Sequence, residues 1–143
     1  MRSLPVYLIH WDAPQWCLSA SRSVLQSVGL ALSLTIVNNG PTVSAKYWAV
    51  NAVNARVINL ATNRGFSGGA NAALDDWMNA PSPAPYCVIG SHDLHVTPST
   101  LASLVDCAAK NTAYGVIAPG LTAPCKAFGG SWANGLASTL GSY

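Results

Sequence analysis

Residues 57–71 of the chain are VINLATNRGFSGGAN, a short apolar run followed by a polar loop, three glycines and the start of a helical pattern. Val57–Leu60 is apolar and rich in β-branched residues, which is typical of a buried strand. Gly65, Gly68 and Gly69 allow a tight turn and a close approach of the backbone. The stretch therefore predicts a strand, a loop and a helix in succession, which is the first part of a βαβ unit.

The same alternation of apolar runs and helical patterns extends along the chain. The apolar runs predict five strands, over residues 6–11, 32–37, 57–60, 86–90 and 115–118. Helical patterns lie between or after them, over residues 15–28, 43–53, 67–79 and 99–111. Strands that are apolar throughout suit a parallel sheet that is buried on both faces. We therefore expect an α/β fold, with a Rossmann-like, doubly wound and mostly parallel sheet of about five strands and flanking helices.

The composition limits the classes of function. The 143 residues are 50% hydrophobic and 8% charged, with a net charge of +2 and no glutamate. The few lysines and arginines form no cluster, which argues against a nucleic-acid-binding surface. No apolar run reaches the roughly 20 residues of a membrane-spanning helix, and no signal-peptide pattern follows Met1, so we expect a cytoplasmic protein. Asp75 and Asp76 lie inside a predicted helix and are expected to face solvent.

Polar segments follow four of the predicted strands. They cover residues 10–14, 38–40, 62–71 and 91–95. Because the carboxyl ends of parallel strands share one edge of a sheet, and ligands bind at that edge, these segments predict a binding site. In the third segment, the start of a helix offers free N–H groups and Arg64 offers a fork of donors, both of which suit an anion. The alternative is a loop whose glycines serve only to pack the helix on the sheet.

Asp93 is the strongest candidate among the carboxylates. It lies just beyond the apolar run 86–90. A divalent cation that also binds phosphate oxygens needs a carboxylate ligand of this kind. The alternative is an aspartate that caps a turn. A zinc site formed by His92, Asp93 and His95 is disfavoured, because successive extended residues point to opposite faces.

Taken together, these segments resemble the family-two glycosyltransferases with the GT-A fold, in particular the rhamnosyltransferase-like branch. The matching stretches occur in the family's order, at residues 10–18, 35–40, 63–71, 87–93 and 115–119. The most specific of them, residues 63–71, matches the pattern Asn-x-Gly-Phe-x-Gly-Gly-x-Asn. The resemblance implies that residues 1–121 form a nucleotide-sugar-binding half-domain and that the Gly/Ser/Ala-rich residues 122–143 begin an acceptor half.

The resemblance also implies which residues meet the donor. They belong to the polar segments that follow the strands, namely His10, Trp11, Asp12, Asn38, Asn39, Asn63, Arg64, Gly65, Gly68, Gly69, Asn71 and Asp93. The family usually has an aspartate that contacts the base at position 38, and asparagine differs from it in donors and acceptors. Asp93 matches the carboxylate that meets the ribose or the metal-bound diphosphate, which implies a divalent cation, Mg²⁺ or Mn²⁺. The family commonly has Asn-Pro-Asp or Asn-Asp-Asp where this chain has Ser-His-Asp, at residues 91–93.

The resemblance implies an inverting glycosyltransferase that uses a UDP- or dTDP-type nucleotide-diphosphate sugar in cell-wall polysaccharide biosynthesis. Peripheral association with a membrane would then come through the acceptor. In this family an acidic segment of the acceptor half supplies the base that deprotonates the acceptor hydroxyl. No Asp or Glu follows Asp106 in this sequence. We therefore expect a truncated glycosyltransferase that lacks its catalytic base.

The sequence is also compatible with two other functions. A degenerate, non-catalytic module would bind a nucleotide sugar without turning it over. A nucleotide-dependent oxidoreductase would also use a doubly wound sheet, and Asp93 lies roughly where a ribose-binding acid could sit. The oxidoreductase is disfavoured because the glycines of residues 63–71 follow the pattern GxxGG and not GxGxxG.

Overall fold

The structure, a computed structural model, describes residues 3–40, 45–51 and 53–119 of the chain. The chain divides into two units, Met1–Ser99 and Thr100–Tyr143. The described part of the second unit has one helix, α4 (Thr100–Lys110). The predicted boundary after residue 121 and the residues 122–143 lie outside the described residues. No helix in the described ranges has the length and apolar character needed to cross a membrane.

The first unit alternates strands with helices. Its elements are β1 (Leu4–His10), α1 (Pro14–Leu25), β2 (Leu32–Asn39), α2 (Ala45–Val50), β3 (Arg56–Leu60), α3 (Gly65–Met78) and β4 (Val88–Ser91). These four strands pair in parallel in the order β3-β2-β1-β4. The arrangement confirms the predicted α/β fold with a parallel, Rossmann-like sheet.

The strand order determines which face each helix covers. The chain moves from β1 through β2 to β3 in one direction and then returns to place β4 on the other side of β1. Right-handed crossovers therefore put α1 and α2 on one face of the sheet and α3 on the other. The winding reverses between β1 and β4, which is the switch point at which doubly wound sheets bind ligands.

The face beneath α3 is a hydrophobic core. Tyr7 and Ile9 of β1, Val37 of β2 and Ala73 of α3 are buried together there. Gly69 allows α3 to approach the sheet closely, because a Cβ atom at this position would lie 2.5 Å from Cγ2 of Ile9. The position of α3, and hence of its amino end, is therefore set by contact with the central strand.

The opposite face is also apolar where α1 covers it. Val6 and Leu8 of β1 and Ile36 of β2 are fully buried. Cys17 of α1 is buried too, and burial raises the pKa of its thiol to about 12, so the group is an unreactive part of the core. α1 begins at Pro14, one residue before the predicted range 15–28, because proline lacks the N–H that the first turn leaves unbonded.

Two predictions about the strands are wrong. Residues 115–118 form no strand, and Val116 is exposed. Such a short apolar run has no periodicity that separates a strand from an irregular segment, and Gly115 has no side chain to bury. The second error concerns Asn38 and Asn39, which the sequence places in a polar segment after the strand 32–37 but which continue β2 in register with neighbouring strands.

Asp76 contradicts the expectation that both aspartates of α3 face solvent. The Tyr7 hydroxyl donates a hydrogen bond to Oδ2 of Asp76 at 2.7 Å. The Arg56 guanidinium donates to both carboxylate oxygens, with Nη1 2.8 Å from Oδ1, and forms an ion pair. The bond from Arg56 holds the pKa of Asp76 below its ordinary value, whereas burial raises the pKa of Tyr7. Its neighbour Asp75 is exposed, as expected.

The substitution Asp76→Asn is expected to lower the free energy of unfolding at neutral pH by about 1 to 2 kcal/mol, because it weakens charge-assisted hydrogen bonds. The folded pKa of Asp76 lies below the unfolded one, so its stabilisation is present above the unfolded pKa and is lost as the pH falls through the folded pKa. Urea denaturation at neutral pH and near pH 3 checks this: the deficit should shrink in acid. Asp75→Asn is the control and should change little at either pH. A deficit that does not depend on pH would contradict the assignment.

Candidate functional site

The four strands of the sheet end at one edge, which we call the carboxyl edge. It comprises the strand ends and residues 10–12, 38–40, 61–65 and 91–93. The register places His10 opposite Asn38 of β2 and places Ile9 opposite Ser91 of β4. The structure therefore brings together the polar segments that the sequence predicts at this edge.

The loops after β1 and β4 are joined at the switch point through His92. Its backbone N–H donates to the Ile9 carbonyl at 3.1 Å, and its Nδ1 accepts a hydrogen bond from the Trp11 backbone N–H, also at 3.1 Å. The rings of His10 and His92 lie with centroids 5.5 Å apart. His92 is absent from the predicted donor residues. Its place between the end of β4 and Asp93 is the signal that could have included it.

His10 is fully buried on the face that α1 and α2 cover. Its ring meets the Trp48 ring edge-on, with the centroids 5.1 Å apart. Burial, and then the neighbouring His92, lowers the pKa of His10 to about 4. His10 is therefore neutral at physiological pH. It lies at the carboxyl edge and offers no positive charge to a phosphate.

Three of the predicted residues are exposed around the switch point. Trp11 is 51% exposed immediately after β1. Asp12 follows it with φ of +48°, a conformation that aspartate tolerates better than most residues. Asp93 is exposed beyond the end of β4. These side chains supply an aromatic ring and two carboxylates at the carboxyl edge.

The carboxylates around the switch point do not form a preassembled metal site. Within the described ranges, no group of three or more His, Cys, Asp or Glu side chains could hold a metal ion, so His92, Asp93 and His95 form no zinc triad. Mg²⁺ retains several water ligands and is commonly bound by one or two carboxylates together with substrate phosphates. A single exposed carboxylate such as Asp93 fits an ion that arrives with a diphosphate, and does not fit a resident ion.

Asn39 joins β2 to the glycine-rich loop. Its Oδ1 accepts a hydrogen bond from the Arg64 backbone N–H at 2.9 Å, and its Nδ2 donates to the Gly65 carbonyl at 2.8 Å. The Gly65 N–H donates to Oδ1 of Asn63 at 2.8 Å, and Gly65 has φ of +68°, which glycine adopts without strain. Two asparagine side chains therefore fix the backbone at the point where α3 begins.

Asn38 is held inside the sheet. Its Nδ2 donates to Oδ1 of Asn59 on β3 at 3.0 Å, and the two residues are register partners. Only 2% of Asn38 is exposed. Sequence analysis did not identify Asn59, although a polar residue within an otherwise apolar strand is a signal that could have pointed to it.

The remaining predicted residues lie at or near the amino end of α3. The Arg64 side chain is exposed immediately before the first residue of the helix. Gly68 is partly buried, Gly69 is buried, and Asn71 is exposed in the second turn. α3 begins at Gly65, earlier than the predicted start at Ser67, so Gly68 and Gly69 lie inside the helix and Gly65 is its first residue. The N–H groups of its first turn after Gly65, which itself donates to Asn63, and the Arg64 guanidinium thus lie at the carboxyl edge.

A groove of about 310 Å³ lies at the opposite, amino-terminal edge of the sheet. Its lining consists of small, apolar and aromatic residues: Ser3, Pro5, Tyr7, Trp77, Ala80, Ser82, Pro83 and Ala84. No charged side chain lines it, and the Tyr7 hydroxyl already donates to Asp76. The groove is therefore poorly suited to a diphosphate, and it is distant from the switch point.

Comparisons with known proteins identify the fold. No family model matches the sequence, and no curated protein matches it. Among solved structures, residues 1–349 of S. aureus TarS align with a TM-score of 0.60 and 14% identity, over 78% of this chain and 33% of that chain. A second structure of S. aureus TarS aligns with a TM-score of 0.59 and 14% identity, over 78% of this chain and 20% of that one. The chain thus spans a third or less of these two structures, and the likeness shows a GT-A-like fold.

Proposed function

We propose that this chain is the donor-binding part of a glycosyltransferase and that its carboxyl edge binds the nucleoside diphosphate of a UDP- or dTDP-type sugar. S. aureus TarS, which shares the fold, is a family-2 glycosyltransferase. One observation carries the proposal: His92 joins the loops after β1 and β4 at the switch point, which is where sheets of this kind bind ligands.

The side chains at the carboxyl edge supply the chemistry that a nucleoside diphosphate needs. Trp11 offers an exposed aromatic face on which a base or sugar ring can stack. The Arg64 guanidinium and the free N–H groups of α3 suit the negative diphosphate. Asp93 offers a carboxylate to the ribose hydroxyls or to a cation.

Mg²⁺ or Mn²⁺ is the proposed cofactor, and Asp93 is the residue proposed to hold it. Such an ion neutralises charge on the diphosphate, which is the leaving group when a sugar is transferred. The carboxylate alone completes no ion site, so the proposal is that cation and nucleotide bind together. Metal-dependent affinity for the nucleotide is the property expected from this arrangement.

The finer parts of the proposal concern the reaction. They are inverting transfer to an acceptor hydroxyl, as in family-two and rhamnosyltransferase-like enzymes, a role in cell-wall polysaccharide synthesis and an acceptor at a membrane surface. Transfer of this kind needs a general base that deprotonates the acceptor hydroxyl. The second candidate is a module that binds a nucleotide sugar without turning it over.

Isothermal titration calorimetry with UDP and with dTDP, each with and without Mn²⁺ or Mg²⁺, tests the proposal. We expect dissociation constants of about 10⁻⁴ M, corresponding to about −5.5 kcal/mol, and tighter binding with the cation. ADP and NADH serve as controls for the base and for the oxidoreductase alternative. Absence of binding at millimolar UDP and dTDP would contradict the proposal, and tight binding of NADH would favour the oxidoreductase. A separate incubation of the chain with the nucleotide sugar tests turnover. Release of sugar from that donor would exclude the purely binding module.

A further inference from the structure

We infer that Asn39 is a positioning residue, which holds the backbone of Arg64 and Gly65 so that the first turn of α3 and the Arg64 guanidinium face the diphosphate. The inference rests on the proposed function of the carboxyl edge. It differs from the expectation that Asn39 itself contacts the donor. Asn39 then affects the affinity for the diphosphate of the donor, through Arg64 and Gly65. Other residues determine the affinity for the base and the ribose.

Burial shows that Asn39 has little surface to offer a ligand. Only 2% of the residue is exposed. Both ends of its amide are bound to backbone groups, Oδ1 to the Arg64 N–H and Nδ2 to the Gly65 carbonyl. On its other side, Nδ2 lies 3.6 Å from the position that a Cβ atom at Gly69 would occupy. The amide is therefore enclosed between β2, the loop before α3 and α3 itself.

The backbone that Asn39 holds leads directly into the N–H groups best suited to a phosphate, because the N–H of Arg64 is bonded to Asn39 and that of Gly65 to Asn63. Arg64 immediately precedes α3, and Gly65 is its first residue. The first N–H groups of a helix have no partner within the helix and carry the positive end of its dipole. A loop that is already held in its bound conformation loses little conformational entropy when a ligand binds. The two hydrogen bonds of Asn39 therefore increase the affinity for a diphosphate.

The substitution Asn39→Asp keeps one of the two hydrogen bonds and removes the other. An ionised carboxylate has the same shape and still accepts from the Arg64 N–H. Its other oxygen would face the Gly65 carbonyl at about the distance of the present bond, 2.8 Å, and two acceptors repel. A protonated carboxyl group would donate to that carbonyl and restore the pair. Asn39→Asp should therefore weaken diphosphate binding at neutral pH and recover in mild acid.

Arg64 is a charged residue in contact with Asn39, because its N–H donates to Oδ1. Leu60, the register partner on β3, and Gly69 of α3 carry no charge. His10 on β1 is the register partner of the neighbouring Asn38, and burial lowers its pKa to about 4. Burial and the facing Gly65 carbonyl raise the pKa of the introduced carboxyl group, whereas the Arg64 N–H and the Arg64 charge lower it. We expect the first two effects to be the larger, so that the introduced aspartate protonates above its ordinary pKa of about 3.9.

NMR titrations of the full chain with UDP and with uridine, near pH 7.5 and near pH 5, test the inference. Relative to wild type, Asn39→Asp should bind UDP about tenfold more weakly near pH 7.5, a change of about 1.4 kcal/mol, and should regain most of the loss near pH 5. Its affinity for uridine should stay within about twofold of wild type, because the base and ribose sites are untouched. Asn79→Asp is the matched control. That side chain donates to the Asp75 carbonyl at the other end of α3, and its loss should leave both affinities unchanged.

Equal losses for UDP and uridine, or full UDP affinity near pH 7.5, would overturn the inference. Failure of wild type to bind UDP would instead overturn the proposed function. Should Asn39→Asp fail to fold, Asn63→Ala removes the bond to the Gly65 N–H from an exposed position and tests the same loop. A selective loss of UDP affinity in that variant would support the role of a fixed loop, and unchanged affinity would contradict it.

Discussion

The substitution Gly69→Ala is expected to lower the free energy of unfolding by about 2 kcal/mol, which is a large part of the stability of a small domain. The added methyl group would lie 2.5 Å from Cγ2 of Ile9, and Ile9 is only 5% exposed in the central strand of the sheet. Neither β1 nor α3 can move without disturbing the core of Tyr7, Val37 and Ala73. Thermal and urea denaturation measure the loss.

Gly115→Ala is the matched control for this substitution. A Cβ atom at Gly115 would meet nothing within 4 Å, so the change in stability should stay within about 0.5 kcal/mol. Gly69→Ala should also weaken UDP binding, because Asn39 lies beside the added methyl group and holds the loop before α3. Wild-type stability of Gly69→Ala would contradict the close approach of α3 to β1.

The substitution Asp93→Ala is expected to remove the gain in UDP affinity that Mn²⁺ provides, a gain of about tenfold if one carboxylate and the diphosphate share the ion. Asp93 is exposed beyond β4, so its loss should leave the sheet intact. Binding of UDP without metal should change much less. Calorimetry with and without Mn²⁺ separates the two contributions.

Asp75→Ala is the control for Asp93→Ala. It removes the same charge from an exposed aspartate of α3 that lies away from the carboxyl edge. The full Mn²⁺-dependent gain should persist in this variant. Persistence of the gain in Asp93→Ala as well would contradict the role of Asp93 at the ion site. Asp12→Ala would then be the next variant to measure.

The sheet could be predicted from the sequence because its strands are continuous apolar runs between clear breaks. β1 and β2, with their buried Val6, Leu8 and Ile36, leave little choice of structure. Residues 115–118 have the same composition and form no strand, because a strand also needs a neighbouring edge with which to pair, and composition does not report that edge. The strand order, and with it the switch point, likewise depends on pairing between distant segments.

The site could be predicted only in outline, as a set of polar segments at one edge. The glycine-rich loop and Asp93 stand out because their residue types are unusual beside strands. Asn39 acts through Arg64 and Gly65, which lie 25 and 26 positions away along the chain. The link from His92 to Trp11 spans 81 positions. A local sequence pattern does not contain such contacts. The contacts of Asn39 with the start of α3, and the hydrogen bond between Trp11 and His92, could therefore be identified only in the folded structure.

The central claim is that the carboxyl edge, and not the groove at the amino-terminal edge, binds a nucleoside diphosphate. Titration of the ¹⁵N-labelled chain with UDP and Mg²⁺, followed residue by residue in the amide spectrum, tests it most directly. The account predicts saturable shifts at residues 10–12, 64–69 and 91–93 and no shifts at Ser3, Trp77 and Ser82. Shifts confined to the groove, or an unchanged spectrum at millimolar UDP, would contradict it.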